Sequence, residues 1–387
     1  MIFSYRTVKV FVLFLCLNLI NSVAPRTVLP LRAQAVPKDI SQSVKLAQPL
    51  TLQWQYESDK VVNLTPATDN ARIYLPLAMG MVVALDAATG QIIWRTDTGG
   101  ELSASPLADR HAVYLASKTV SPNGAGETGV LRAIDPTSGV TLWMRTLPHP
   151  LRGAMAVTNQ FIFGGSSDGR VYALQIKNGQ TAWTMQHSSA FTSAPVISGS
   201  YIYLGSDDGT FFAIDQATGK TTWRYRTQGA IRGRAAIVGE TVYFGSADGY
   251  AYALKATTGE RRWRARTGAA VQSVASVPQG LLVTSLDNFV YLLSPSNGDR
   301  IWKKQLAGRL AAQPLTSIDG ALFTPLSSDA GVVLDLRDGK PLNRLPVGED
   351  SNTMAAPVVA GELLVLTTRH GLLAFANSGH ALTTRAN

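Results

Sequence analysis

The sequence predicts an all-β chain folded as an eight-bladed β-propeller of four-stranded antiparallel blades. A phrase made of an apolar strand, a polar turn ending in glycine and a second strand recurs eight times in 387 residues. Six of the seven spacings between these glycines are 39 to 41 residues, the length of one four-stranded blade, and all seven tryptophans fall at one repeat position. The turn glycines are Gly90, Gly139, Gly179, Gly219, Gly259, Gly298, Gly339 and Gly379.

The tryptophan strands indicate how the ring closes. Six tryptophans follow a turn glycine by four residues, Trp54 keeps the period by preceding Trp94 by 40, and Asn343 takes the position in the eighth repeat. The first such strand precedes every turn glycine, whereas Gly379 has no strand after it. We therefore expect the strand around Trp54 to complete the blade begun by residues 355–375, which removes the free edges of an open array.

Two kinds of turn recur within the repeat. Aspartate-glycine pairs join the second and third strands and predict tight hairpins with positive φ at both central residues. These pairs are Asp168-Gly169, Asp208-Gly209 and Asp248-Gly249. Before the tryptophan strand, the turn often begins with a carboxylate that can accept backbone N–H groups, as at Asp86, Asp135, Asp215 and Asp335. The one long spacing, 49 residues, is explained by an insertion at 118–128.

The N-terminus has the pattern of an export signal. Arg6 and Lys9 precede an apolar stretch at 10–20 that is too short to span a bilayer. Small-x-small sites end at Ala24 and Ala35, and cleavage after Ala35 is preferred because proline follows Ala24. An uncleaved membrane tether is the alternative. We expect a signal peptide at 1–35, a linker at 36–50, the propeller at 51–377 and a tail at 378–387.

The single cysteine and the net charge limit the expected cellular location and the expected classes of binding partner. Cys16 is the only cysteine, and Leu15 before it is not the small residue that lipidation requires, so a non-lipidated protein of the periplasm or cell envelope is expected. The net charge is +9, of which +5 lies beyond residue 35. This mildly basic body lacks the basic run of a nucleic-acid arm but permits contact with anionic headgroups or an acidic protein patch.

The repeated phrase resembles that of a known superfamily. It reads ALDAATGQIIW at 84–94, AIDPTSGVTLW at 133–143 and AIDQATGKTTW at 213–223. This pattern is similar to the repeat of the pyrroloquinoline-quinone-type propellers, which include quinoprotein alcohol dehydrogenases and BamB, the propeller subunit of the outer-membrane β-barrel assembly machinery. The resemblance is closest in type to BamB, and it implies that the tryptophan of one blade packs against the turn of its neighbour.

The resemblance also implies what an enzyme of this superfamily would need. Quinoprotein dehydrogenases hold the quinone in the central mouth with a metal ion bound by Glu and Asn, a catalytic Asp and commonly two adjacent cysteines. This chain has no cysteine after Cys16, and seven repeats are too regular to provide a lid. The five histidines are scattered, and no ion site can be assembled near the expected mouth from Glu101, Glu349, Asp350 and Asn352. No cofactor and no metal site is predicted.

The sequence therefore predicts a non-enzymatic, monomeric scaffold resembling BamB. Its expected partners are envelope proteins, such as an outer-membrane assembly component, and nucleic acid is not expected among them. Two alternatives stay open. One is an extracytoplasmic carbohydrate-binding propeller, and the other is a quinone-dependent dehydrogenase.

The predicted partner site lies where the connections into the innermost strands and the Asp-Gly hairpins emerge together. Arg152 and Arg232 share a repeat position, while Arg232 and Arg234 are two apart and are expected to point to one side of an extended strand. Arginine is enriched at interface hot spots, so these side chains are expected near the centre of the site; a solvated rim is the alternative. The candidates are Arg152, Arg232, Arg234, Arg309, Asp168, Asp207, Asp208, Asp248 and Asp287.

A second basic cluster flanks Trp263 on an outermost strand. It consists of Arg261, Arg262, Arg264 and Arg266. Charged side chains on an exposed strand prevent pairing with other chains, so we interpret this cluster as protection of the edge.

Overall fold

A computed structural model describes residues 44–120, 126–348 and 353–378. The predicted signal peptide with its cleavage sites, Cys16 and the C-terminal tail from Gly379 onward lie outside the described residues. So do Glu349, Asp350 and Asn352.

The described residues form 34 strands in eight sheets, with one 3₁₀ turn at Ala78–Gly80. In chain order the strands are β1 (Leu50–Glu57), β2 (Ala67–Thr68), β3 (Arg72–Pro76), β4 (Met81–Asp86), β5 (Ile92–Asp97), β6 (Glu101–Leu102), β7 (Ala104–Ser105), β8 (Leu107–Ala108), β9 (Val113–Val120), β10 (Glu127–Ile134), β11 (Thr141–Leu147), β12 (Leu151–Val157), β13 (Phe161–Ser166), β14 (Arg170–Gln175), β15 (Thr181–Gln186), β16 (Val196–Ser198), β17 (Tyr201–Gly205), β18 (Thr210–Asp215), β19 (Thr221–Arg226), β20 (Ala236–Val238), β21 (Thr241–Gly245), β22 (Tyr250–Lys255), β23 (Arg261–Arg266), β24 (Val271–Val277), β25 (Gly280–Ser285), β26 (Phe289–Leu293), β27 (Arg300–Gln305), β28 (Leu315–Thr316), β29 (Ala321–Phe323), β30 (Ala330–Leu334), β31 (Pro341–Pro346), β32 (Val358–Ala360), β33 (Leu363–Thr368) and β34 (Gly371–Asn377).

Each sheet is one blade of an eight-bladed propeller, as the sequence predicts. Blades I to VIII are β2–β5, β6 with β8–β11, β7 with β12–β15, β16–β19, β20–β23, β24–β27, β28–β31, and β32–β34 with β1. Strand β7 pairs in parallel with β12, so the inner end of blade II joins the sheet of blade III. The second and third strands of a blade are buried on both faces, whereas the fourth alternates between exposed and covered residues. The fourth strand is therefore the outermost.

The ring closes through the N-terminal strand, as predicted. Strand β1 pairs antiparallel with β34, from Leu50 opposite Asn377 to Glu57 opposite Gly371. Val44 and Leu46, from the segment predicted to be a linker, are buried against blades VII and VIII. The last blade is thus built from both ends of the propeller.

Seven joints between blades share one construction, which confirms the packing implied by the resemblance. Trp223 on β19 lies against Gly259 in the next blade, so close that a Cβ at Gly259 would lie 2.6 Å from the indole. The Nε1 of Trp223 donates a hydrogen bond of 2.8 Å to the carbonyl of Ala256 in the same turn. The other six indoles make the equivalent bond; they are Trp54, Trp94, Trp143, Trp183, Trp263 and Trp302.

The eighth joint uses an amide instead of an indole. Asn343 on β31 donates from Nδ2 to the carbonyls of Leu46 and Gln48, at 2.7 and 2.6 Å. In blade VIII the third and fourth strands are not joined by a turn, because one comes from each end of the propeller. Asn377 links these ends through bonds to the backbone N–H and carbonyl of Lys45. A short polar side chain therefore replaces tryptophan where no turn is available to receive a ring.

The Asp-Gly hairpins differ from the prediction in their turn geometry. The glycines have positive φ, 83° at Gly169, 87° at Gly209 and 84° at Gly249, but the aspartates before them do not. The N–H of Gly209 donates to the carbonyl of Ser206, and Asp208 accepts the N–H of Thr210 through its side chain. This is the geometry of a longer loop with one left-handed glycine, in which the aspartate serves as a hydrogen-bond acceptor.

Candidate functional site

The predicted clustering of two loop types on one face is confirmed. The N–H of Thr227, at the end of the outermost strand, donates to the carbonyl of Gly209 in the hairpin, at 2.8 Å. The N–H of Ala247 in the next hairpin donates to the carbonyl of Ala230 in the connection, also at 2.8 Å. Because these bonds recur from blade to blade, hairpins and connections emerge at the same end of the strands. We call this end the top face.

A charged cluster occupies the top face around blade IV. The Nε of Arg232 lies 3.0 Å from Asp207, which also accepts a bond from the hydroxyl of Thr192. The neighbouring carboxylate of Asp208 lies 3.1 Å from Nε2 of His187 and 3.0 Å from Nη1 of Arg226. We group these side chains with Arg234, which follows Arg232 by two residues, and call them the top-face cluster: His187, Asp207, Asp208, Arg226, Arg232 and Arg234.

Asp208 is held in its ionised form. Its partial burial acts to raise the pKa, but hydrogen bonds from Ser206, Thr210 and His187 outweigh burial and hold the pKa of Asp208 well below its usual range. The carboxylate is therefore a permanent negative charge at neutral pH. Arg226 and His187 are positioned around this fixed charge.

Arg234 differs from Arg232 in having no neutralising partner. It is solvent-accessible, although protein surrounds its guanidinium closely, and it makes no ion pair or hydrogen bond to any described residue. It comes just before β20, the innermost strand of blade V, and desolvation by the surrounding protein lowers the pKa of its guanidinium. Residues 232–235 precede the strand and the chain bends at Gly233, so the expected alternation of an extended strand does not apply to the two arginines.

The other two predicted arginines do not join this cluster. Arg152 lies on β12 and pairs with Glu127 of the insertion in blade II, at 2.7 Å, rather than with a hairpin aspartate. Glu127 also binds Lys118, whose hydrogen bond is the main cause of the lowered pKa of Glu127. Arg309 is exposed in the connection into blade VII, and its backbone carbonyl accepts the N–H of Leu326.

The remaining hairpin aspartates bind groups of their own blade or of the connection from the preceding blade. Asp168 pairs with Arg170 of the same hairpin, and His149 lies 3.9 Å away. Asp248 accepts the hydroxyl of Tyr252 at 2.7 Å and a backbone N–H of Gln228 at 3.1 Å. Asp287 repeats this arrangement with Tyr291, whose pKa is raised to about 12 by burial and by this carboxylate. These aspartates are structural acceptors in hairpins.

His187 is a member of the cluster that the sequence interpretation did not select. It stands four residues after Trp183, where other blades carry Thr98, Thr227 or Thr267. Those threonine hydroxyls donate to backbone carbonyls, as Thr227 does to Gly209 at 3.0 Å, whereas the imidazole reaches a carboxylate. Three repeats carry threonine at this position and the other four carry serine, leucine or valine, so an ionisable imidazole there is the signal that could have identified His187.

No group of three or more His, Cys, Asp or Glu side chains among the described residues is arranged to hold a metal ion. The carboxylates of the top-face cluster are already bound to arginine, histidine and hydroxyl groups. The cluster therefore presents charges of both signs that, Arg234 apart, are paired with one another.

Fold and site together define a class, the eight-bladed repeat propeller with a charged loop face. A family model described as outer membrane protein assembly factor BamB matches residues 41–124 and 127–285, and the chain belongs to this family. Among the described residues, no helix has the length and apolar character needed to cross a membrane.

Individual relatives match short parts of the chain. BamB of Alkalilimnicola ehrlichii is 47% identical over 45 residues, 12% of this chain and 12% of the relative. Tetrathionate hydrolase of Acidithiobacillus ferrooxidans is 28% identical over 98 residues, 25% of this chain and 18% of the relative. The matches thus span less than a fifth of either curated relative.

Solved structures show the same fold at low sequence identity. BamB of Moraxella catarrhalis superposes with a TM-score of 0.70 at 17% identity, covering 85% of this chain and all of that one. Quinohemoprotein alcohol dehydrogenase of Comamonas testosteroni also gives 0.70, at 12% identity, covering 86% of this chain and 77% of that one. Because the same fold carries an assembly factor and an enzyme, function must be inferred from the site.

Proposed function

We propose that this chain is a non-enzymatic scaffold of the bacterial envelope that binds a component of outer-membrane protein assembly on its top face. Family membership supports the assembly role, and the predicted export signal supports the location. The binding surface would be the top-face cluster, and Arg152 and Arg309 would lie at its margin.

The observation that carries the proposal is the unpaired guanidinium of Arg234, two residues along the chain from the paired Arg232. An arginine without a carboxylate partner can donate bidentate hydrogen bonds to an acidic side chain of another protein. Asp207 lies 3.0 Å from Arg232, and Asp208 lies 3.0 Å from Arg226. These ion pairs restrict the side chains of the surface before a partner binds. A preorganised surface loses less side-chain entropy on association.

The test is the double substitution R232A/R234A compared with R95A/R145A. The control removes two exposed arginines from outermost strands of blades I and II, so both variants lose the same charge. After cross-linking in cells, wild type and control should co-purify with an outer-membrane assembly component, and R232A/R234A should not. Truncation of a hot-spot arginine costs about 2 kcal/mol or more, which corresponds to roughly a 30-fold loss of affinity.

Two results would contradict the proposal. Undiminished capture by R232A/R234A, with an unchanged melting temperature, would show that the partner binds elsewhere. Dye reduction by the purified protein after addition of the quinone and calcium would make it a dehydrogenase, a chemistry carried by structural neighbours of this chain.

A further inference from the structure

Basic residues are concentrated on one part of the outer wall of the propeller. The outermost strands of blades IV, V and VI carry two, four and three basic side chains and no acidic one. The outermost strands of the other five blades together carry three basic and two acidic side chains. The basic wall is Arg224, Arg226, Arg261, Arg262, Arg264, Arg266, Arg300, Lys303 and Lys304.

Edge protection does not explain this distribution. Every outermost strand has a free edge, yet β15 of blade III has no charged residue. On β11 of blade II, Leu142 and Met144 are 54% and 49% exposed. If charge were required to keep edges apart, these strands would need it as much as β23. The concentration on three consecutive blades needs a different explanation.

The charges of the basic wall are mostly unneutralised. Within the described residues, only Arg226 and Arg262 contact carboxylates, Asp208 at 3.0 Å and Glu240 at 3.8 Å. Eight of the nine side chains are exposed, and Lys304 is half-buried. Arg264 and Lys303 lie over the rings of Tyr250 and Phe289, which orients two of the cations without removing their charge.

The repeat places part of this charge in a row. Arg224, Arg264 and Lys303 each follow the tryptophan of their strand by one residue, so they occupy the same height on adjacent blades. The cations sit on the convex side of a ring and do not converge on one point, so they cannot enclose a small anion. A row of separate charges across three blades is suited to an extended anionic surface.

We propose that the basic wall binds the anionic phospholipid headgroups of a membrane leaflet. The side chains suit lipid better than single-stranded nucleic acid, which needs exposed aromatic rings for base stacking. The aromatic rings on these strands, Trp223, Tyr225, Trp263 and Trp302, are covered or half-covered, and each indole is bonded to the next blade. The wall and the top-face cluster share only Arg226, at the end of β19, and the other eight cations of the wall lie outside the cluster.

The experiment uses vesicles of phosphatidylglycerol mixed equally with phosphatidylcholine, and vesicles of phosphatidylcholine alone, in co-sedimentation with the full chain. We expect binding to the anionic vesicles at low salt, loss of binding at about 0.5 M salt because of screening, and no binding to the neutral ones. Near an anionic leaflet each basic side chain contributes about five-fold, so R224Q/R264Q/K303Q should bind about a hundred-fold more weakly.

Two further variants control for poor folding of R224Q/R264Q/K303Q and for the loss of total charge. R266Q/R300Q/K304Q removes three other cations of the wall while leaving the Arg264–Tyr250 contact in place, and it should give a similar loss even if R224Q/R264Q/K303Q folds poorly. R95Q/R110Q/R145Q removes the same charge from exposed positions on blades I and II and should bind like wild type.

Several outcomes would overturn the proposal. These are no binding to anionic vesicles, equal binding by both wall variants and wild type, or an equal loss in R95Q/R110Q/R145Q, which would indicate a response to total charge alone. Tighter binding to a duplex DNA at the same salt, lost in the wall variants, would identify nucleic acid as the ligand. Capture of an assembly component through Arg232 and Arg234 is measured separately, so either proposal can fail alone.

Discussion

The joint between blades IV and V and the joint between blades VII and VIII occupy equivalent places in the ring but are built from different groups. At the first, Trp223 packs on Gly259 and donates one hydrogen bond. At the second, Asn343 donates two bonds to chain that continues into β1. The difference shows that a joint made by a continuous turn depends on buried apolar area, whereas the joint at the chain ends depends on directed polar contacts.

The largest expected effect is at the indole joint. Trp223→Ala removes a ring that packs in the core of blades IV and V and should lower the free energy of unfolding by about 3–5 kcal/mol, measured by urea denaturation. Trp223→Phe is the control, because it keeps an aromatic ring and loses the bond to Ala256; it should cost about 1–2 kcal/mol. Equal losses in both variants would mean that the indole bond, and not apolar packing, supports the joint.

The next effect should appear where the two ends of the propeller pair. At Gly371 a Cβ would lie 1.8 Å from the carbonyl oxygen of Tyr56 on β1, so Gly371→Ala must displace β1. We expect a loss of about 2–3 kcal/mol and earlier protease cleavage within β1, detected by N-terminal sequencing. Gly199→Ala is the control, since its Cβ meets open space and only the left-handed backbone is strained. Unchanged cleavage in Gly371→Ala would show that β1 is not required to stay paired.

The amide joint should be weaker than the indole joint. Asn343→Ala removes both bonds to Leu46 and Gln48 and should cost about 1–2 kcal/mol by the same denaturation measurement. Asn343→Trp should not restore stability, because blade VIII offers no closed turn to receive the ring. A gain of stability in Asn343→Trp would contradict the distinction between the two kinds of joint.

The smallest effect concerns the turn that receives Trp94. Hydrogen bonds from Thr137 and Ser138 lower the pKa of Asp135 to about 2, and carboxyl NMR can measure it. Because the folded pKa is below the unfolded value of about 3.9, the charge stabilises the fold above pH 4, and this contribution is lost as the pH falls towards 2. The small stability advantage of wild type over Asp135→Asn should disappear over that range. An advantage that persisted at pH 2 would exclude the charge as its cause.

The architecture could be predicted from the sequence because it depends on local and periodic features. Seven tryptophans at one repeat position identify the joints between blades. Trp54 precedes every turn glycine, and this offset identifies the N-terminal strand as the one that closes the ring. The partners of Arg152 and Asp208 could not be predicted in this way. Glu127 reaches Arg152 only because an insertion lengthens one hairpin, and His187 at the end of blade III reaches Asp208 in the adjacent blade IV. Such ion pairs depend on the three-dimensional arrangement of loops from adjacent blades, and the spacing of residues in the sequence does not determine this arrangement.

The pairing of β1 with β34 also fixes the order of events during synthesis. Lys45 leaves the ribosome 332 residues before Asn377, the residue that it binds. Until translation is nearly finished, β1 has no strand to pair with, and a chain that stops before β34 carries unprotected edges at both termini. The ring can therefore close only after β34 has been made, so a chain that ends before β34 is open to aggregation or proteolysis.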